Sequence, residues 1–270
     1  MKYPLFLSDF DGTLVRSDGT ISEGNKRAIA AYRKAGGTFA VCTGRMLTSI
    51  LPRLKELGIE DGLVIAYQGA TIADVATGAL VKDDGFSRED ALRVVRLLEE
   101  NGRHVHVYTV DDLYANRRDE ALEAYEHICG VRATIVSDMS LADFVEKNNL
   151  RIVKALAMVR PEERAALIEE LRPKLGEDFF VTCSAEVLVE VMPKGQTKAA
   201  AVDFLSKKYD IPVEKIAAIG DQLNDLPMIL QAGGRFAVGN AAQPLKDVAN
   251  VVADFEHDGV AEALAIAMQD

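Results

Sequence analysis

Asp9-Phe10-Asp11-Gly12-Thr13-Leu14 closes the first apolar run of the chain, Tyr3 to Leu7. An extended segment places residues i and i+2 on one side, so a strand ending here aims both carboxylates into one crevice and turns Phe10 to the core. Two carboxylates a few ångströms apart repel, and both stay charged only when a cation or a shared proton offsets the repulsion. Taken alone, the stretch reads equally well as a solvated Asp-Gly turn. Three later stretches decide between the two.

Outward from this point the pattern alternates. Ser22 is a good N-cap for a helix running to about Ala35, and Gly36-Gly37 ends it. Thr38 to Cys42 is apolar on nearly every residue, as in a parallel strand covered on both faces, and it finishes in Thr43-Gly44-Arg45. A helix with Leu47, Ile50, Leu51, Leu54 and Leu57 at helical spacing follows, then a strand, Leu63 to Ala66. This β-loop-α-β-α-β order predicts an α/β fold with a doubly wound parallel sheet, whose ligands sit beyond the carboxyl ends of its strands.

From about Asp83 the pattern changes to an α+β block of helices and β-prone runs, closed by Phe179 to Cys183 and Val187 to Met192. The β/α alternation then resumes with a helix, Gln196 to Tyr209, and a strand, Ile216 to Ile219. That strand ends in Gly220-Asp221-Gln222-Leu223-Asn224-Asp225. The expected division is a discontinuous core, 1–82 and 190–270, with an inserted α+β domain, 83–189.

Composition limits the partners. The net charge of −11 argues against nucleic acid and acidic membrane surfaces, which need clustered Lys or Arg. The first apolar run is too short for a signal peptide or a span, so a cytoplasmic location is expected. Cys42, Cys129 and Cys183 are widely spaced without a CxxC pair and read as reduced, mostly buried thiols.

Asp221 and Asp225 stand four apart, a spacing that places them on one face if a helix begins here. With Asp9 and Asp11 they put four carboxylates on the ligand edge. Such a group calls for a divalent cation, and an all-oxygen donor set suits Mg²⁺. Thr43 and Gly44 offer a hydroxyl and loop amides at a helix start, an arrangement suited to phosphate. Lys194 and Lys198 follow the insertion, and either is placed to neutralise a phosphoryl oxygen. His104 and His106 alternate on one strand with no third ligand nearby, which fits a half-exposed strand face.

DFDGTL, TGR, a downstream Lys and GDQLND, in that order, resemble the four motifs of the haloacid dehalogenase (HAD) superfamily. The insertion resembles the cap of its Cof-type phosphatases, on a Rossmann-like core. The resemblance implies that Asp9 is the nucleophile and forms an aspartyl-phosphate. It implies that Asp11 protonates the leaving alkoxide and activates water, its backbone carbonyl binding Mg²⁺. Asp221 and Asp225 would complete the metal site. Thr43, Gly44, a lysine and Asn224 would hold the phosphoryl group, the lysine being Lys198 with Lys194 as alternate. Arg45 and Gln68 would stand near the substrate; Gln68-Gly69 replaces the Asn-Gly common in such proteins.

The expected function is a Mg²⁺-dependent phosphatase acting on a small phosphorylated metabolite, a sugar phosphate or a phosphorylated cofactor, as a monomer or homodimer. The alternatives are a phosphomutase of the same superfamily and, more remotely, a non-catalytic phosphate- and Mg²⁺-binding module.

Overall fold

All four residues of Leu5–Ser8 (β1) are buried, because the strand lies in the middle of a sheet covered on both sides. The computed structural model describes residues 1–269. After β1 come α1 (Glu23–Lys34), β2 (Thr38–Cys42), α2 (Leu47–Glu56) and β3 (Leu63–Ala66). Ser22 caps α1 as expected, its Oγ accepting the Asn25 amide at 3.0 Å. Strands β4 (Thr71–Asp74) and β5 (Leu80–Asp83) then turn back antiparallel.

The chain next builds α3 (Arg88–Glu99), β6 (His104–Tyr108), β7 (Leu113–Ala115), α4 (Glu120–Cys129), β8 (Ala133–Ile135) and α5 (Leu141–Lys147). It continues through β9 (Lys154–Met158), α6 (Arg164–Leu175), β10 (Phe179–Thr182) and β11 (Leu188–Pro193). It returns with α7 (Lys198–Tyr209), β12 (Ile216–Gly220), α8 (Leu226–Gln231), β13 (Gly234–Ala237), α9 (Gln243–Lys246), β14 (Asn250–Val251) and α10 (Gly259–Ala267).

Two sheets result, ordered β14-β13-β12-β1-β2-β3-β4-β5 and β10-β11-β9-β6-β7-β8. In the first, β14 through β3 run parallel. Sequence order reverses between β1 and β12, so the crevice at their carboxyl ends is the switch point of the sheet. In the second sheet alternate residues part company. Val105, Val107, Ala155, Ala157, Val189 and Val191 pack in one core with residues of α3, α5 and α6. Tyr108, Leu156, Met158 and Leu188 face the other way and join the main core.

Two expectations are corrected. A boundary at 189/190 falls inside β11, whose partners β9 and β10 both belong to the second sheet, so that sheet extends to Pro193. Asp221 to Asn224 form a turn, and only Asp225 belongs to the helix start, as the N-cap of α8, so the two aspartates do not share a helix face. Strands β8 and β14 were not anticipated; at three and two residues they are too short to show a period. Among the described residues no helix is long and apolar enough to cross a membrane.

Candidate active site

The register Ser8↔Ile219, continued by the Asp9 amide donating to the Ile219 carbonyl at 3.0 Å, brings the chain after β1 beside the chain after β12. Two glycines make the approach possible. Gly12 has φ +73°, and a Cβ there would stand 2.5 Å from Asp221 Oδ2. A Cβ on Gly220 would stand 2.5 Å from the Asp225 side chain.

Asp9, Asp221 and Asp225 converge here, each offering an oxygen within 4.8 Å of the others. They are 6%, 5% and 0% exposed. Lys198, itself fully buried, donates to Asp9 Oδ1 at 2.5 Å and to Asp225 Oδ1 at 2.5 Å. Asp225 Oδ2 accepts the amides of Asp221 and Gln222 at 3.0 and 3.1 Å, which pins the turn. The Thr13 hydroxyl donates to Asp221 Oδ1 at 3.1 Å.

One ammonium does not balance three buried carboxylates. Burial, and then the charge of Asp225, holds the Asp9 carboxyl well above the usual range in spite of Lys198. The same two causes push Asp221 up to about 7. Burial alone would lower Lys198, but Asp225 and Asp9 more than reverse this and keep it charged. Surplus negative charge on an all-oxygen donor set fits a hard divalent cation. Asn224 agrees with that fit: its buried Oδ1 on the same turn has no hydrogen-bond partner, leaving a further oxygen free.

Asp11 is not part of this carboxylate group. Its carboxylate is gripped by Arg45, with Nε donating to Oδ2 at 2.7 Å and Nη2 to Oδ1 at 2.6 Å. The expected four-carboxylate set is therefore three carboxylates plus a neighbour tied to arginine. Arg45, expected near the substrate, is committed to Asp11 and lies over the Phe10 ring. Thr43 Oγ1 accepts the Arg45 amide at 3.1 Å, which leaves its hydroxyl proton free to donate into the crevice. Asp9, Asp11, Thr43, Gly44, Arg45, Asp221 and Asn224 line one cavity.

Lys194 does not reach it. Its side chain is 63% exposed and lies 3.7 Å from Glu177, so of the two only Lys198 meets the carboxylate group. Gln68 is 1% exposed and lies beneath the cavity rather than on its wall. Its Nε2 donates to Glu190 Oε2 at 2.9 Å, and its Oε1 accepts from Asn224 Nδ2 at 3.1 Å. Tyr67 and Gln68 both adopt left-handed backbone, φ 50° and 60°. From this turn the Tyr67 amide donates to the Arg45 carbonyl and the Gln68 amide to the Thr43 carbonyl, fastening the 43–45 loop.

Sequence reasoning missed Lys154 and Glu190. They form an ion pair of 3.0 Å on the inner face of the second sheet, and Lys154 Nζ also donates to the Gly44 carbonyl at 3.0 Å. A single charge inside an otherwise apolar strand run, as in Val187-Leu188-Val189-Glu190-Val191, was the available signal. His104 and His106 are buried rather than half-exposed, with ring nitrogens 3.2 Å apart and Asp119 2.9 Å from His104 Nδ1. Cys42 and Cys183 are buried and Cys129 partly so.

The cavity measures about 720 Å³ and is bounded by both sheets' residues. Fold and site together describe a Rossmann-like α/β protein with a buried acidic site at the switch point of its parallel sheet and a second α+β unit beside it. A family profile described as haloacid dehalogenase-like hydrolase matches residues 6–264, and the chain belongs to that family, among its Cof-type phosphatases. It is 27% identical over 271 residues to the 5-amino-6-(5-phospho-D-ribitylamino)uracil phosphatase of Bacillus subtilis, covering 96% of each chain. It is 26% identical to the HMP-PP phosphatase of Cronobacter sakazakii over 237 residues, 88% of this chain and 84% of that one. A solved haloacid dehalogenase-like hydrolase from B. subtilis superposes with a TM-score of 0.88 at 26% identity, covering 98% of this chain and 99% of that one.

Proposed function

We propose that the protein is a Mg²⁺-dependent phosphatase that hydrolyses a small phosphorylated metabolite, a sugar phosphate or a phosphorylated cofactor, through an aspartyl-phosphate on Asp9. The observation that carries this reading is the tether from Lys198 to Asp9 inside the buried carboxylate group, under a cavity lined by Thr43 and Asp11. Lys198 holds Oδ1 of Asp9 and leaves Oδ2 to attack phosphorus. The bond to the leaving oxygen breaks, and Asp11, entering this step in its protonated form, gives that oxygen the proton. Asp11 then takes a proton from water, which attacks phosphorus and releases the Asp9 carboxylate with inorganic phosphate.

The Thr43 hydroxyl and the Lys198 ammonium face the charge that grows on the phosphoryl oxygens. Asp9, Asp221, Asp225 and the backbone carbonyl of Asp11 would hold Mg²⁺, which supplies further neutralisation of those oxygens when bound. Arg45 keeps Asp11 in place. The second sheet with its helices serves as a cap that excludes bulk water, and the relatives named for small phosphorylated compounds support a small substrate.

Phosphate release from a panel of phosphorylated metabolites, with and without Mg²⁺, tests this. Mg²⁺-dependent release by the wild type that is lost in Asp9→Asn is the expected result. Unchanged release by Asp9→Asn would remove the nucleophile from the proposal, and isomerisation of a sugar phosphate activated by a sugar bisphosphate, without phosphate release, would turn it into a phosphomutase.

A further inference from the structure

Away from its acidic floor much of the cavity's boundary is carbon. Helix α4 presents Ala121, Ala124, Tyr125 and Ile128 to it, the i, i+3, i+4, i+7 face of one helix. The ends of β9 and β11 add Met158, Val159, Val187 and Leu188. Ile128 is 65% exposed and Val187 38%, and both line this one cavity beside the other apolar residues.

Several of the charged groups on the same boundary are already paired with one another. Asp119 lies 2.9 Å from His104 Nδ1 and 3.4 Å from Arg117 Nε. Arg160 is paired with Glu163 at 2.5 Å. Glu190 Oε1 accepts from Lys154 and from Ser184, at 3.0 and 3.1 Å. A polyhydroxylated leaving group would exchange its water hydrogen bonds for contact with methyl groups, which is unfavourable for each hydroxyl left without a partner. A flat ring would lose few such bonds and would cover the aliphatic face, with Tyr125 as an aromatic neighbour.

From this, resting on the phosphatase reading above, we infer that the preferred substrate is a phosphate monoester whose leaving group carries an aromatic or heteroaromatic ring on a short linker. The ring sits between α4 and the β9 and β11 ends, and the phosphoryl group reaches Asp9. About 720 Å³ exceeds what a phosphoryl group needs and falls among cavities that enclose ligands of drug-like size, roughly 300–1,000 Å³.

The test compares benzyl phosphate with glycerol 3-phosphate and glucose 6-phosphate on the whole chain with Mg²⁺. In parallel, titration calorimetry compares benzylphosphonate with 2,3-dihydroxypropylphosphonate, both attached to phosphorus through one methylene. The expected kcat/KM favours benzyl phosphate by about tenfold or more, the scale of selectivity that apolar pockets provide. Benzylphosphonate should bind more tightly, with the more negative heat-capacity change of apolar burial. The double variant Ile128→Ser, Val187→Ser, at exposed positions, should erase most of that preference by raising KM for benzyl phosphate far more than for glycerol 3-phosphate. Equal or better turnover of the polyol esters, or a variant that shifts both substrates alike, would overturn the inference. If nothing is hydrolysed while benzylphosphonate still binds preferentially, the phosphatase reading fails and the ring site stands; without that preference the ring site fails too.

Discussion

Lys154 and Glu190 lie 3.0 Å apart with side chains 2% and 1% exposed, and between them they touch the Gly44 carbonyl, Ser184 and Gln68. A buried ion pair does little for net stability, because desolvation offsets the attraction, yet breaking one half is severe. Lys154→Met should therefore lower the unfolding free energy by about 3 kcal/mol or more. The double variant Lys154→Met, Glu190→Leu should recover most of that, and urea denaturation of the set measures it. Turnover should not recover, since the contact to the 43–45 loop stays lost.

Gln68 spans from Asn224 to Glu190 with its two amide ends. Asparagine is one methylene shorter and cannot hold both. Gln68→Asn should lower stability by about 1 kcal/mol, the worth of one hydrogen bond, and reduce kcat more than it raises KM. Equal stability and turnover in steady-state assays would show that the bridge positions nothing.

Arg45 fixes Asp11 through two parallel hydrogen bonds, which a lysine ammonium cannot reproduce. Arg45→Lys should lower kcat by roughly tenfold to a hundredfold with little change in Tm, because proton transfer depends on placement. A pH–rate profile with loss only in KM would assign Arg45 to substrate instead.

A divalent cation that neutralises Asp9, Asp221 and Asp225 should stabilise the folded state. Mg²⁺ at one hundred times its Kd would add about 2.7 kcal/mol, read as a rise in Tm that excess EDTA reverses. Asp221→Asn should abolish most of the rise. Asp9→Asn without metal should be no less stable than the wild type, because it removes a carboxyl that burial and Asp225 already disfavour as an anion.

Burial, with His104 and Lys154 nearby, pushes the His106 imidazole down to about 3, against opposition from Asp119. The folded state therefore keeps it neutral, while the unfolded chain binds a proton below about pH 6.5. Stability from this group is full above that pH and is lost as pH falls towards 3. Between pH 7.5 and 5 the loss is about 2 kcal/mol. Chemical denaturation at the two pH values should show a smaller drop in His106→Phe than in the wild type.

Much of this was legible in one dimension because its cause is local. The apolar runs of β1, β2 and β12 are strands buried on both faces, and each ends in a polar stretch with glycine, so Asp9, Thr43 and Asp221 could be placed on one edge from spacing alone. The surplus of acid there, and the need for a cation, followed from charge. What only the tertiary structure decided were relations between groups far apart in the chain. It tied Lys198, the lysine the resemblance already preferred, to both Asp9 and Asp225, and left Lys194 in solvent. It tied Asp11 to Arg45, turned Gln68 beneath the site, and paired Lys154 with Glu190 across neighbouring strands. A charge buried in a strand run announces that it must have a partner; which partner it has is fixed by packing and register, and sequence spacing does not encode either.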